Sequence, residues 1–190
     1  MHSPRMPNLF LIGAPKCGTT AMSHYLAGHP DIFMSEQAQV KEPYFHCPDM
    51  TAPWRISSPA KYADLFAGAP PGSRFLGEAS AAYLYSGCAV PDILSMCPQA
   101  RFVVMLRNPV ELVASLHNQF WKNGMEVADL AEAWWLQEAR ARGEALPPGF
   151  IHGRLHQYGR VAALGAQMER LYRWVDRSRV HCIVYDDFNA

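Results

Sequence analysis

The sequence predicts an α/β fold, a central parallel sheet flanked by helices, from three observations. Leu9–Ile12 and Arg101–Leu106 are short apolar runs, the second charged only at its opening arginine, as expected of strands buried on both faces. Each is followed by a helix-start signal: Gly18 after the first, and Asn108-Pro109 after the second, with proline in the first turn. Between the first strand and its helix lies Gly13-Ala-Pro-Lys-Cys-Gly18, a tight glycine-bearing turn. Such a strand, turn and helix gather free backbone N–H groups at the positive end of a helix dipole, which is an anion site. Lys16 adds a full charge there, and Thr19 and Thr20 add hydroxyls.

The remaining elements follow in order. The first helix runs through Ala21, Met22, Tyr25 and Leu26 to a Gly28-His29-Pro30 stop. Asp31–Ser35 reads as a short extended segment and Glu36–Val40 as polar loop. In Lys41-Glu-Pro-Tyr-Phe-His46, Pro43 biases Glu42 away from the right-handed helical region, which places it in extended backbone. Cys47–Pro59 is a Pro-rich loop, and Ala60–Ala67 a short helix closed by Gly68 and Pro70-Pro71-Gly72. Phe75–Ser80 reads as a core strand with a polar end, and Val90–Met96 as a short helix. The helix after Asn108 turns Leu112, Val113, Leu116 and Phe120 inward and carries Ser115 about two turns beyond Arg107. Asp129–Arg142 is expected to be one helix with Trp134-Trp135 packed into the core. Arg154–Val175 is expected to be one long amphipathic helix. Val180–Tyr185 is the last strand, ending in Asp186-Asp187.

Composition narrows the function classes. At 190 residues, 49% hydrophobic and 18% charged, the chain reads as a single globular domain over 1–190. Its 17 basic and 17 acidic residues cancel, so no global field draws nucleic acid or membrane, and anion binding has to be local. The apolar runs are too short to span a bilayer and the N-terminus lacks a signal-peptide layout, which makes the cytoplasm the expected compartment. Five scattered cysteines without a CxxC pair ask for neither a disulfide framework nor a metal. Cys17, at a helix N-terminus beside Lys16, is expected to have a lowered thiol pKa. With no base evidently paired to it, it reads as a small loop-filling residue.

The loop has the two glycines of the nucleotide-triphosphate motif GxxxxGK[ST], which makes the fold P-loop-like and three-layered. Thr19 stands where the motif's lysine belongs, and the lysine sits inside the loop at position 16. In the motif that lysine reaches the β- and γ-phosphates and the following hydroxyl takes Mg²⁺. A lysine inside the loop lies nearer the bond between a phosphate and its leaving group. A P-loop kinase or NTPase is therefore the alternative reading, favoured by a Walker-B-like strand at Val180–Asp186 and opposed by the displaced lysine.

Phe10–Thr20, followed by His29-Pro30-Asp31, resembles the 5′-phosphosulfate loop of the sulfotransferases that use 3′-phosphoadenosine 5′-phosphosulfate. The resemblance is closest to the branch that includes the heparan sulfate sulfotransferases and many bacterial relatives. It extends through Lys41–Phe45, Gly77–Ser80, Arg101–Pro109 and Val180–Asp187, nearly the whole chain. It implies that Pro15, Lys16, Cys17, Gly18, Thr19 and Thr20 hold the phosphosulfate of that co-substrate, that Lys16 is catalytic, and that no metal is needed. It also implies that Glu42 is the base for the acceptor hydroxyl or amine, and that Arg107 and Ser115 hold the 3′-phosphate. A guanidinium fork suits that phosphate, although a strand-end salt bridge is the plain alternative for Arg107. On the acceptor side stand Glu78, Ser80 and His46. Glu78 is either a second candidate base or a holder of Lys16 or an arginine. Lys41 positions a sulfonate or is only solvated. Many relatives carry a lysine after the glutamate at 78, and this chain has Ala79. Relatives also continue into a helical region and a basic loop over the adenine, so the chain reads as truncated at its C-terminus or as a minimal member completed by a partner or by dimerisation. A non-catalytic nucleotide-binding domain, a fold core in which cofactor affinity falls, is therefore a third reading. The acceptor, a small molecule, glycan or lipid, is not readable from these residues.

Overall fold

The structure is a computed structural model describing residues 5–35, 41–147 and 154–188. The polar loop expected at 36–40 and the last two residues of the loop at 145–149 lie outside the described residues. Five parallel strands form one sheet: β1 (Leu9–Leu11), β2 (Ile32–Met34), β3 (Phe75–Ala79), β4 (Arg101–Leu106) and β5 (Val180–Val184), in the order β2-β3-β1-β4-β5. Nine helices are described: α1 (Thr19–Ala27), α2 (Pro59–Asp64), α3 (Ala89–Met96), α4 (Pro109–Lys122), α5 (Leu130–Trp135), α6 (Gln137–Ala141), α7 (Tyr158–Ala162), α8 (Leu164–Trp174) and α9 (Tyr185–Phe188). β1 is central, flanked by β3 and β4, so the loop at its carboxyl end lies where connections diverge to either side of the sheet. Open α/β sheets bind ligands at such switch points.

The apolar runs behave as their composition requires. Phe10, Leu11 and Ile12 are fully buried, as are Val104 and Met105, while β5 is the exposed edge. Asn108 caps α4 by accepting from the Val110 N–H, Pro109 sits in the first turn, and Leu112, Val113, Leu116 and Phe120 are buried as the spacing predicted.

Two helices are shorter than their patterns suggested, each for a side-chain reason. The segment 129–142 divides at Leu136 into α5 and α6, because the Gln137 amide donates to the Trp134 carbonyl (2.7 Å) and competes with the backbone ladder. The segment 154–175 divides at Ala163 into α7 and α8. There the Gln167 amide serves the carbonyls of Arg160 and Val161 at 3.0 and 2.9 Å. Trp134 and Trp135 are not core residues. They are 41% and 82% exposed, since so short a helix buries only Ala133.

Candidate active site

A cleft of about 460 Å³ opens at the carboxyl ends of β1 and β4, and two walls face each other across it. The first wall is the β1–α1 loop with α4. The loop is laid across β4 by hydrogen bonds from Ala14 N–H to Met105 O (2.6 Å) and from Met105 N–H to Gly13 O (2.7 Å). A Cβ at Gly13 would meet the Leu84 Cβ at 2.7 Å, so a side chain there would push the loop off its seat. Gly18 caps α1 with φ +82°, the left-handed region, and packs against the Tyr185 ring. Lys16 also has a positive φ (+65°), which turns its side chain into the cleft, where its ammonium donates to Gln119 Oε1 at 2.7 Å. Burial, then the charges of Lys41 and Arg107, push the Lys16 pKa down from the usual lysine value. Three cations crowded around one loop are the electrostatic signature of a site for a multiply charged anion.

Pro15, Lys16, Gly18, Thr19, Thr20, Arg107 and Ser115 all line this cleft. Cys17 does not. It is fully buried beneath the loop, and desolvation pushes its thiol up to about 11, the reverse of the expected fall. Its loop-filling role stands, and the nearby positive charge does not offset the loss of water. Arg107 makes the salt bridge of the plain alternative and also stands in the cleft. It lines the cleft, donates through Nε and Nη2 to Glu111 at 3.0 and 2.9 Å, and donates through Nη1 to the Lys16 carbonyl at 3.3 Å. Its guanidinium also lies 4.5 Å from the centre of the Tyr185 ring. Ser115, Gln119 and Asn123 recur every four residues along α4 and make the cleft-facing stripe. That period shows Gln119 and Asn123 once Ser115 is placed. Tyr185 carries no comparable signal.

The second wall is Lys41, Glu42, Tyr44 and Trp54. Lys41 reaches across to donate to the Thr20 hydroxyl. Glu42 accepts from the Tyr44 hydroxyl at 3.2 Å, and Trp54 stands edge-on to Tyr44 at the half-open mouth. Pro43 keeps Glu42 out of the right-handed helical region, but the backbone is not extended as expected. Glu42 and Tyr44 both have φ +54°, a conformation that costs of order 1 kcal/mol per non-glycine residue unless neighbours hold it. Phe120, Met125 and Leu155 give the cleft floor an apolar surface.

Glu78, Ser80 and His46 are not brought to the cleft; all three are fully buried. Glu78 holds neither Lys16 nor an arginine. Its Oε2 accepts from Tyr62 (2.6 Å) and Tyr83 (3.1 Å), and its Oε1 from Ser80 (2.5 Å). Burial pushes its carboxyl up to about 7 against the pull of those three donors. His46 is a core histidine with Nδ1 2.6 Å from Asp92 and Nε2 3.2 Å from the Tyr62 hydroxyl. Among the described residues no group of three or more His, Cys, Asp or Glu is placed to hold a metal, and no helix is long and apolar enough to cross a membrane.

No family model matches the chain. A crystal structure of a sulfotransferase from Alicyclobacillus acidocaldarius is 28% identical, superposes with a TM-score of 0.85, and covers 97% of this chain and 75% of that one. The chain is 27% identical over 107 residues to the membrane-associated sulfotransferase kil1 of Dictyostelium discoideum. It is 26% identical over 106 residues to the bifunctional heparan sulfate N-deacetylase/N-sulfotransferase 1 of Caenorhabditis briggsae. Each match takes in 56% of this chain but only 21% and 12% of those longer proteins. With the parallel sheet, the loop and the two-walled cleft, these likenesses make the chain similar to sulfotransferases in both sequence and fold.

Proposed function

We propose that the protein transfers a sulfonate group from 3′-phosphoadenosine 5′-phosphosulfate to a hydroxyl or amine of an acceptor. The observation that carries this reading is the convergence of Lys16 and Arg107 from one wall, and Lys41 from the other, on a cleft that also presents a carboxylate, Glu42. The loop N–H groups and Thr19 and Thr20 receive the 5′-phosphosulfate, and Arg107 with Ser115 receives the 3′-phosphate. Glu42 takes the proton of the acceptor as its oxygen or nitrogen bonds to sulfur. The bond from sulfur to the bridging phosphate oxygen breaks, leaving the sulfated acceptor and 3′-phosphoadenosine 5′-phosphate. Lys16 stabilises the charge that grows on that oxygen, an interaction strongest in the transition state. Positioning and fixed charge account for the step, and it calls on no metal. The apolar floor and Trp54 suit an acceptor with a planar or apolar face.

Isothermal titration tests the donor. 3′-Phosphoadenosine 5′-phosphate is expected to bind the wild type, and Arg107→Ala and Lys16→Ala to weaken it at least tenfold, with ATP–Mg²⁺ much weaker. Glu42→Gln is expected to keep that affinity and lose about 10²–10⁴ in turnover on any accepted alcohol. Preferential binding of ATP–Mg²⁺ overturns the reading in favour of phosphoryl transfer.

A further inference from the structure

Behind the Glu42 wall, Asp92, His46, Tyr62 and Glu78 form one hydrogen-bonded chain, and its geometry requires a proton count. His46 Nδ1 lies 2.6 Å from the Asp92 carboxylate, so that nitrogen carries hydrogen. The Tyr62 oxygen lies 2.6 Å from Glu78 Oε2 and 3.2 Å from His46 Nε2, and its single hydrogen serves one of these contacts. The other contact needs a second hydrogen, supplied by His46 Nε2 or by the Glu78 carboxyl. The chain therefore carries one proton more than a neutral histidine and two carboxylates supply. Moving one hydrogen along each of the two bonds through Tyr62 carries that proton from His46 to Glu78, with no change in total charge.

The same cluster reaches the cleft wall by two routes. Ser80 donates to Glu78 and accepts the Tyr44 N–H at 3.3 Å. Tyr83 donates to Glu78 and accepts the His46 N–H at 3.1 Å. These two amides, at the end of the Glu42–Tyr44 segment and two residues beyond it, anchor the stretch in which Glu42 and Tyr44 hold positive φ and Tyr44 donates to Glu42. Such a backbone persists only where its surroundings over-determine it.

We propose that Glu78 and His46 share one buried proton through Tyr62, and that this cluster is the positioning element that holds the Glu42 wall against the cleft. The groups facing Glu78 are Tyr62 from α2, Ser80 and Tyr83 beyond β3, and Cys47 and Glu42 from the wall. Those facing His46 are Asp92 from α3, Tyr62 and Tyr83, with the Cys88 thiol on its carbonyl. No ion pair to Glu78 occurs among the described residues, so no cation fixes its charge. Burial raising the Glu78 pKa and lowering that of His46 agrees with a proton resting on Glu78 near neutrality.

The test uses two substitutions and NMR on the intact chain, and only its kinetic and nucleotide-affinity arms rest on the sulfonate-transfer reading. Glu78→Gln, with its amide nitrogen in the Oε2 position, keeps a donor for Tyr62 and an acceptor for Ser80 and gives up only the Tyr83 contact, so it mimics the protonated acid at the bonds the shared proton uses. It is expected to preserve amide-exchange protection at Tyr44 and His46 and to keep turnover within threefold. The pH at which the His46 ring nitrogens titrate is expected to shift by at least one unit. Glu78→Leu removes the acceptors. It is expected to lose protection at both amides and more than tenfold in kcat, while affinity for 3′-phosphoadenosine 5′-phosphate stays within twofold. A His46 titration identical in wild type and Glu78→Gln overturns the shared proton. Unchanged amide protection in folded Glu78→Leu overturns the positioning role. If the wild type transfers no sulfonate, the donor reading fails while both NMR readouts still decide this one.

Discussion

Glu78 and Glu126 are equally buried and chemically identical, yet their surroundings drive them in opposite directions. Glu126 meets the Arg140 guanidinium with both oxygens, at 2.6 and 2.8 Å, and accepts the Val127 and Ala128 N–H groups and the Tyr158 hydroxyl. Although burial alone would raise it, these donors hold its carboxyl down at about 2. Glu78 has three hydroxyls and no guanidinium, and stands at about 7. A buried carboxylate with a matched cation is a staple with one charge state. One surrounded by hydroxyls keeps a proton that chemistry nearby can feel. The staple ties the turn after α4 to α6, and neither Glu126 nor Arg140 lines the cleft, whereas the proton-bearing acid stands directly behind the Glu42 wall.

The largest effect expected from breaking this comparison is at the staple. Arg140→Met leaves Glu126 buried and unpaired, which costs about 3–5 kcal/mol. For a chain of this size that lowers the melting temperature by about 10 °C in a thermal scan at neutral pH. A shift below about 2 °C would mean that the turn relaxes to hydrate Glu126. The acid limb has a definite sign. Because the folded pKa of Glu126 is depressed, its contribution is present above the unfolded value of 4.5 and is lost as pH falls toward about 2.

The proton-bearing pair makes a smaller and more unusual mark on stability. Between the unfolded values of 4.5 for Glu78 and 6.5 for His46, the unfolded chain carries one proton on the two groups, and so does the folded cluster. Stability should not slope with pH there on their account. Each single substitution unmasks the other group. In His46→Asn the raised pKa of Glu78 makes stability fall from pH 4.5 to about 7, by about 3 kcal/mol. In Glu78→Gln the lowered pKa of His46 makes stability rise toward pH 6.5. Urea melts across this range read both slopes, and slopes of equal sign would refute the pairing.

How much of this was legible in the sequence depends on how local the determinants are. The anion loop is spelled within a dozen consecutive residues, and Arg107 and Ser115 were paired by the resemblance at an interval of eight positions across the strand end and the helix start, so their convergence on one cleft could be anticipated. The Glu78 cluster joins residues 46, 62, 78, 83 and 92, which no periodicity links. Read alone, Glu78 and His46 looked like acceptor-side groups, because nothing near them in sequence announces Tyr62 or Tyr83. The helix breaks at Leu136 and Ala163 were illegible for a related reason: the glutamine side chains that serve the freed carbonyls fit the helical pattern as well as any polar residue. Trp134-Trp135 misled because adjacent positions on so short a helix cannot both reach the core.

A third carboxylate completes the series at the exposed end. Glu111 also meets a guanidinium, but with a single oxygen that accepts from Nε and Nη2 of Arg107, and its side chain is 53% exposed. An exposed pair of this kind contributes about 0–1 kcal/mol, so it can be exchanged for a phosphate at little cost. Under the proposed function, Glu111 competes with the 3′-phosphate of the donor for the Arg107 guanidinium. Glu111→Gln should therefore leave thermal stability within about 0.5 kcal/mol and tighten 3′-phosphoadenosine 5′-phosphate by about two- to fivefold in titration calorimetry. The gain should shrink as salt is raised, because a partly exposed charge is screened. Weaker binding by the variant would show instead that Glu111 aims the guanidinium. Its role would then be that of a support for Arg107, closer to Glu126 than its exposure implies.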